Sequence, residues 1–232
     1  SGQYDGVKGT PENVLSLLAY VEKHRRETAS VTLFDCQWPE NDTASILAEA
    51  AVVPFDIIAV SATFGCLSEL EKLLEGIKSL RRKPLLVVGG LLSTWSYEYI
   101  LRRYPDVICV RFEGEEVLAQ VLDMAAQTPA QDLRQSLAAH LPQISNLAFV
   151  DRGHVRITGR KFVDLARLPA PDRTTWLARQ IRGRWLLNSE GICRGCGYGK
   201  CWFCTRTHGQ TRYFKLERAL ADYQAYMEGG AP

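Results

Sequence analysis

The sequence of 232 residues lacks any uninterrupted apolar run of the ~18–20 residues that a membrane-spanning helix requires. Its first twenty residues are polar where the hydrophobic part of a secretory signal would stand. A strong charge of either sign is also missing, because the formal net charge is only +2 at pH 7. Such a balance gives no electrostatic reason to expect nucleic acid or an anionic membrane as a partner. We therefore expect a cytoplasmic protein with neither of these partners.

Histidine is scarce as well, with four residues scattered along the chain. We expect His24, His140 and His154 to be surface or loop residues. Only His208 stands near a group of potential metal ligands, four positions after Cys204.

Cysteine, in contrast, is concentrated. Four of the seven cysteines follow the spacing C-x2-C-x4-C-x2-C, at Cys193, Cys196, Cys201 and Cys204. An odd number of cysteines in a metal-like spacing favours a reducing compartment over a disulfide framework. The other three, Cys36, Cys66 and Cys109, lie at the ends of predicted strands or within them, and we expect them to be buried, unreactive thiols. The alternative for Cys36 and Cys66 is contact with a ligand bound at the strand ends.

The cysteine spacing alone is compatible with two kinds of site. A structural zinc site would use all four thiolates in a tetrahedron. An iron–sulfur site would use three of them and leave one iron open to another ligand. Arg194 and Lys200 would favour the thiolate form in either case, although they are equally compatible with a solvated basic loop.

The region before the cysteines alternates apolar strands with amphipathic helices. We predict strands over 30–35, 56–63, 84–90 and 106–111, and helices over 11–24, 43–51, 67–80, 97–103 and 117–126. Continuous apolar strands separated by helices indicate βαβ units, hence a Rossmann-like parallel sheet of the α/β class with right-handed crossovers.

Small and polar residues follow these strands, at the edge where ligands of open parallel sheets bind. This pattern predicts a ligand crevice at the ends of the strands. An alternative for the two glycines is that they merely turn the chain. The candidate contacts are Asp35, Ser61, Thr63, Gly89, Gly90, Glu113 and Gly114.

The remaining third of the chain has a different pattern. A hairpin is predicted over 144–158, a proline-punctuated connector over 163–173, a strand over 185–188 that leads into the cysteines, and a helix over 216–227. We therefore predict three parts, over 1–140, 141–183 and 184–232. Residues 1–9 are too polar for the strand with which such a sheet usually opens, so the chain is expected to be a fragment.

The order of these parts resembles the cobalamin-binding radical S-adenosylmethionine (SAM) enzymes. Their Rossmann-like domain is followed by a proline-rich connector and a partial TIM-type barrel, whose first strand delivers a loop of the type R-G-C-x3-C-x-aromatic-C. Arg194-Gly195-Cys196 and Cys201-Trp202-Phe203-Cys204 match the two ends of that loop. The strand-end signals S-A-T, V-V-G-G and F-E-G-E also look like this family. Here four residues, not three, separate Cys196 from Cys201.

The resemblance implies a set of cofactor sites. Cys196, Cys201 and Cys204 would hold a 4Fe–4S cluster whose open iron SAM chelates, and Phe203 would lie against the adenine. Cys193 would be a bystander or a substitute ligand. Cobalamin would sit on the strand ends, without a histidine on cobalt because the motif D-x-H-x-x-G is missing. Its contacts would be Ser61, Thr63, Gly89, Gly90, Glu113 and Gly114.

The activity that the resemblance implies is methyl transfer to an unactivated carbon, or to phosphorus, of a small molecule or peptide natural product. Ring rearrangement and cyclisation also occur in the family. The reductant would be a protein such as flavodoxin or ferredoxin. Two alternatives stay open: a Rossmann-like regulatory module with a four-cysteine zinc knuckle, and a cluster protein whose Rossmann-like domain binds another ligand or none.

Overall fold

A computed structural model describes residues 8–9, 12–25, 29–129, 132–171, 186–187, 193–204 and 211–228. The chain divides into two compact units. One comprises His24–Phe162, and the other combines Ser1–Lys23 with Val163–Pro232. None of the helices in the described ranges is long and apolar enough to cross a bilayer.

Nine strands are described. They are β1 (Lys8–Gly9), β2 (Ile57–Ser61), β3 (Leu85–Gly89), β4 (Val107–Val110), β5 (Leu147–Asp151), β6 (His154–Ile157), β7 (Leu186–Leu187), β8 (Cys193–Arg194) and β9 (Arg212–Tyr213). The helices in the same ranges are α1 (Glu12–Arg25), α2 (Thr43–Val52), α3 (Leu67–Lys78), α4 (Gly90–Arg103), α5 (Glu115–Gln127), α6 (Leu133–Ala138) and α7 (Leu216–Glu228).

The unit over residues 24–162 is built on a five-stranded sheet in the order β2-β3-β4-β5-β6. The first three strands are parallel, whereas β5 and β6 are added antiparallel. The predicted Rossmann-like α/β fold is therefore confirmed.

The predicted hairpin is also present, formed by β5 and β6. Its turn uses positive φ at Arg152 (50°) and Gly153 (81°), as type I′ turns require.

Helices cover both faces of the sheet, which explains the continuous apolar strands. Neighbouring residues of β3 point to opposite faces: Val87 packs with Val117 and Val121 of α5, and Val88 packs with Leu74 of α3 and Leu101 of α4. Burial on both faces removes the alternation of polar and apolar residues that a half-exposed strand would show.

Several predicted element boundaries are wrong. Residues 30–35 form no strand, and Val31 and Leu33 are 50% and 37% exposed. Helix α4 begins at Gly90, well before the predicted 97, and residue Ser96 interrupts its helical dihedrals. The Arg111 Nε donates to the carbonyl of Thr94, two residues before Ser96 (3.4 Å).

The second unit contains α1, α7 and two short strand pairs. Strand β1 pairs in parallel with β7, which lies within the predicted strand over 185–188. Residues 8–9 therefore form a short strand that their polarity did not predict. Strands β8 and β9 pair antiparallel.

These contacts divide the chain differently from the three predicted parts. Helix α1 belongs to the unit that contains the cysteine loop, and the hairpin of β5 and β6 shares the sheet of residues 24–162. The boundaries over 1–140, 141–183 and 184–232 stay a prediction about folding domains.

The beginning of the predicted connector is held by arginines. The Arg218 guanidinium on α7 donates to the carbonyls of Leu168 (2.9 Å) and Pro169 (3.1 Å), and Arg212 donates to that of Val163 (2.8 Å). Leu168 is 3% exposed. This part of the connector is thus an integral segment of its unit and not a free tether.

Candidate functional site

The carboxyl end of β2 opens to solvent. Ser61 and Thr63 are exposed on either side of the buried Ala62, and the chain then makes a 3-10 turn over Phe64–Cys66. The Thr63 hydroxyl lies 3.3 Å from the Cys66 sulfur. A Cβ added at Gly65 would meet nothing within 4 Å and would point into open space.

The next strand end contains Gly89 and Gly90, and the two differ in their reasons for being glycine. Gly90 has φ of 87°, and a Cβ there would lie 2.5 Å from the Ala62 carbonyl oxygen. A Cβ at Gly89 would meet only an ordinary contact, 3.8 Å from the Val110 Cβ. For Gly90 these observations support the alternative that the sequence left open, a glycine needed where the chain turns. Gly89 pairs with Ser61 across the sheet, which brings these two predicted contacts together.

The third strand end, after β4, turns through Phe112 with a positive φ of 66°. The Thr94 side chain holds this turn: its hydroxyl accepts from the Phe112 N–H and donates to the Gly90 carbonyl, both at 2.9 Å. Thr94 is 5% exposed. Sequence reasoning missed this residue, because nothing in the local pattern distinguishes it from other helical threonines.

The candidate contacts Glu113 and Gly114 follow Phe112 directly, and both are half-buried. Asn146, directly before β5, donates from Nδ2 to the Glu113 carbonyl (3.0 Å). Asn146 was also missed from the sequence, although an asparagine at the head of an apolar strand was a usable signal.

The parallel arrangement of β2, β3 and β4 places all three strand ends on one edge of the sheet. That edge combines exposed hydroxyls, open space beside Gly65 and a hydrogen-bonded loop at Glu113. These residues fit a large ligand with polar substituents such as cobalamin.

The remaining candidate contact, Asp35, is 9% exposed. Its side chain accepts from the Gln37 N–H (3.1 Å), which gives Asp35 a local structural role.

The three cysteines outside the loop are not all buried. Cys109 is fully buried in β4, as expected, and burial raises the pKa of its thiol to about 12. Cys36 and Cys66 are exposed, so that expectation is wrong for them. Cys66 ends the 3-10 turn that follows β2, and Cys36 lies in a turn after residues 30–35, which form no strand. Partial desolvation of the Cys36 sulfur, and then the charges of Asp35 and Cys66, raise the pKa of the Cys36 thiol.

The first cysteine of the predicted loop lies in a small β-ribbon. Cys193 lies in β8 opposite Tyr213, and Arg194 lies opposite Arg212. The Arg194 guanidinium also donates to the Ser16 hydroxyl of α1 (3.0 Å). Cys193 is therefore part of the ribbon that supports the loop, whereas the other three cysteines follow it.

The loop favours ionisation of the exposed Cys196 thiol. The backbone N–H groups of Gly199 and Tyr198 hydrogen-bond its sulfur and lower the pKa of the Cys196 thiol below its usual range. The Gly199 nitrogen lies 3.5 Å from that sulfur. A thiolate is the form that binds metal, so the chemistry of this donor fits a metal or cluster site.

The described residues do not bring three cysteine, histidine or acidic side chains together in a metal-binding group. Cys201 and Cys204 are half-buried, and Phe203 is 73% exposed beside Trp202. His208 lies outside the described residues. The ligand roles of Cys196, Cys201 and Cys204, and that of Phe203 at the adenine, stay predictions.

The different thiol environments predict an order of alkylation in the protein without metal. At pH 7, iodoacetamide should modify Cys196 before Cys36, because a lowered pKa provides more of the reactive thiolate and a raised pKa provides less. Raising the pH to 9 should narrow this difference. Cys109 should react only after unfolding. Peptide mapping by mass spectrometry measures each rate, and native labelling of Cys109 as fast as Cys66 would contradict the described burial.

Comparison with known proteins identifies the same cofactor class. Residues 6–122 match the family described as the B12 binding domain. A curated relative, 4'-phospho-dehydrooxetanocin synthase from Priestia megaterium, is 27% identical over 183 residues, which are 75% of this chain and 23% of the relative. The chain thus spans about a quarter of that protein.

Solved structures of the cobalamin-dependent S-adenosylmethionine radical enzyme OxsB show the same fold. The form with aqua-cobalamin and S-adenosylmethionine bound has a TM-score of 0.76 at 22% identity, covering 98% of this chain and 30% of that one. The apo form has a TM-score of 0.77 at 22% identity, covering 96% and 29%.

These similarities confirm the resemblance to cobalamin-binding radical SAM enzymes that the motifs predicted. The family match includes the three strand ends described above and extends over half of the 232 residues. The chain belongs to the B12-binding domain family.

Proposed function

We propose that this chain provides the cobalamin site and the cluster loop of a cobalamin-dependent radical SAM enzyme. The reaction we propose is methyl transfer to an unactivated carbon, or to phosphorus, of a small molecule or peptide. The observation that carries the proposal is the B12-binding match over residues 6–122, combined with a cysteine loop of the radical SAM type in the same chain.

When bound, cobalamin would supply the methyl-carrying cobalt, and the cluster with SAM would supply radical chemistry. The protein's own part is binding and orientation. The exposed hydroxyls of Ser61 and Thr63 would hydrogen-bond polar groups of cobalamin, and the Glu113 loop would form the opposite side of the site. The thiolates of Cys196, Cys201 and Cys204 would hold the cluster, and Phe203 would pack against SAM.

The proposed partners follow from this chemistry. Radical formation needs an electron, so a reductant such as flavodoxin or ferredoxin would dock to the complete enzyme. A small molecule or peptide would be the substrate.

Two measurements on the purified chain test the proposal. Hydroxocobalamin titrated into the protein should bind with a saturable change in its visible absorption. Anaerobic reconstitution with iron and sulfide should give a brown protein with both elements in similar amounts.

Each measurement has a contrary outcome. If the protein holds one zinc ion per chain and no sulfide, the cysteines form a structural zinc knuckle and the cluster proposal is wrong. A cluster without cobalamin binding would leave the Rossmann-like domain with another ligand or none.

A further inference from the structure

Asn146 joins three segments that are distant in sequence. Its own N–H donates to the Gly159 carbonyl (2.9 Å), and its carbonyl accepts from the Arg111 N–H (2.7 Å). Its φ is 64°, in the left-handed region, and the residue is 6% exposed. Asparagine is among the few non-glycine residues that adopt this conformation readily, so the backbone position itself selects for it.

The side chain of Asn146 uses all of its hydrogen-bonding groups except one acceptor position. Nδ2 donates to the carbonyls of Glu113 (3.0 Å) and Lys161 (2.8 Å), and Oδ1 accepts from the Lys161 N–H (2.7 Å). The two ends of the amide are thus bound in a fixed orientation. An aspartate at this position would keep the acceptor oxygen. It would replace the Nδ2 donor by a second oxygen, so the hydrogen bonds to the Glu113 and Lys161 carbonyls would be lost.

The loop after β4 depends on such side-chain bonds. Between the end of β4 and the start of α5 it has a left-handed Phe112, whose N–H is bound by Thr94, and then Glu113, whose carbonyl is bound by Asn146. The Gly114 carbonyl then accepts from the Leu118 N–H as α5 begins. Three successive residues are therefore fixed by partners from three different elements.

The direction of β5 explains why Asn146 reaches this loop. Because β5 runs antiparallel to β4, the beginning of β5 lies beside the carboxyl end of β4. A fourth parallel strand would place its carboxyl end there instead. The antiparallel hairpin thus brings a buried amide to the ligand-binding edge of the sheet.

We propose that Asn146 is a positioning residue for cobalamin, acting through the backbone of Glu113 and Gly114. This inference rests on the proposed cobalamin site. Asn146 would act through its bond to the Glu113 carbonyl, which holds the loop in the geometry that the cofactor would meet.

The test compares two side chains that hold the same hairpin. The Thr158 hydroxyl accepts from the N–H of Leu147, the residue that follows Asn146 (2.9 Å). Among the described residues, Thr158 has no hydrogen bond to the Glu113 loop. Asn146→Gly keeps the positive φ and deletes the amide, and Thr158→Val deletes the neighbouring hydroxyl. Both variants should lower the thermal midpoint of unfolding.

Of these two variants, only Asn146→Gly should change cobalamin binding. We expect Asn146→Gly to raise the Kd for hydroxocobalamin about tenfold or more and to alter the visible circular dichroism of the bound cofactor. Thr158→Val should leave the Kd within about twofold of the wild type. If the glycine variant does not fold, Asn146→Asp serves in its place, with the same expected increase in Kd.

The outcomes separate this inference from the proposed function. A folded Asn146 variant with wild-type affinity and an unchanged spectrum would overturn the positioning role. An equal loss of affinity in Thr158→Val would overturn it as well, because general loosening of the hairpin would then be sufficient. Absence of binding by the wild type would instead overturn the cobalamin proposal itself.

Discussion

Replacing Gly90 by alanine should lower the free energy of unfolding by about 2–5 kcal/mol. About 1–2 kcal/mol should come from placing a Cβ in the left-handed region, where φ is 87°. A further contribution of about 1–3 kcal/mol should come from overpacking, since the new Cβ would lie 2.5 Å from the Ala62 carbonyl oxygen and 2.8 Å from its nitrogen. Backbone atoms at these distances cannot rotate away as a flexible side chain could.

Gly65→Ala provides the matched control, at the carboxyl end of the preceding strand. Its φ is not in the left-handed region, and its Cβ would meet nothing within 4 Å. We expect its free energy of unfolding to stay within about 0.5 kcal/mol of the wild type. Urea unfolding followed by circular dichroism measures both variants. Equal stability of Gly90→Ala and Gly65→Ala would show that the turn after β3 adapts without cost.

Substituting any one of Cys196, Cys201 and Cys204 by alanine should abolish stable cluster binding after anaerobic reconstitution. The wild type should retain roughly four iron atoms per chain after desalting, the content of one 4Fe–4S cluster. Each variant should fall to a small fraction of that value, because a cluster held by two thiolates is more open to exchange and hydrolysis. Iron and acid-labile sulfide assays measure the loss, together with the absorption near ~400 nm.

Cys193→Ala is the control for this set, since Cys193 lies in strand β8 opposite Tyr213. It should retain the iron and sulfide content of the wild type. The contrary pattern, in which all four variants lose one bound zinc ion equally, would favour the four-cysteine zinc site. Retention of the cluster in Cys196→Ala but not in Cys193→Ala would exchange the roles of these two residues.

The central strands could be predicted because their environment is uniform. Residues of β3 and β4 are covered on both faces, so a continuous apolar run was sufficient to locate them. The positions of Ser61 and Gly89 at one edge followed from the parallel order alone, and the register confirms that they are neighbours. These parts of the site depend on short-range pattern and on a general rule of sheet topology.

Other features depend on contacts that a local pattern cannot contain. The bond from Asn146 to the Glu113 carbonyl joins residues 33 positions apart, and that from Phe112 to Thr94 joins residues 18 apart. Val31 and Leu33 have the composition of a strand, yet residues 30–35 have no strand pairing in the described structure. A strand forms only where a neighbour supplies hydrogen bonds, and propensity alone does not provide one.

Helix α1 and the cysteine loop belong to one unit although the Arg194–Ser16 bond joins positions 178 apart. During synthesis the nascent chain therefore completes the whole sheet of residues 24–162 long before α1 meets its partners. At about 5–20 residues per second, α1 waits roughly 10–30 s for Arg194 to be made. Leu15 and Val21 of α1 are 5% and 2% exposed in the finished protein. Helix α1 is thus made before the sheet of residues 24–162 and packed after it, so we expect its apolar side chains to be accessible to a chaperone in the meantime.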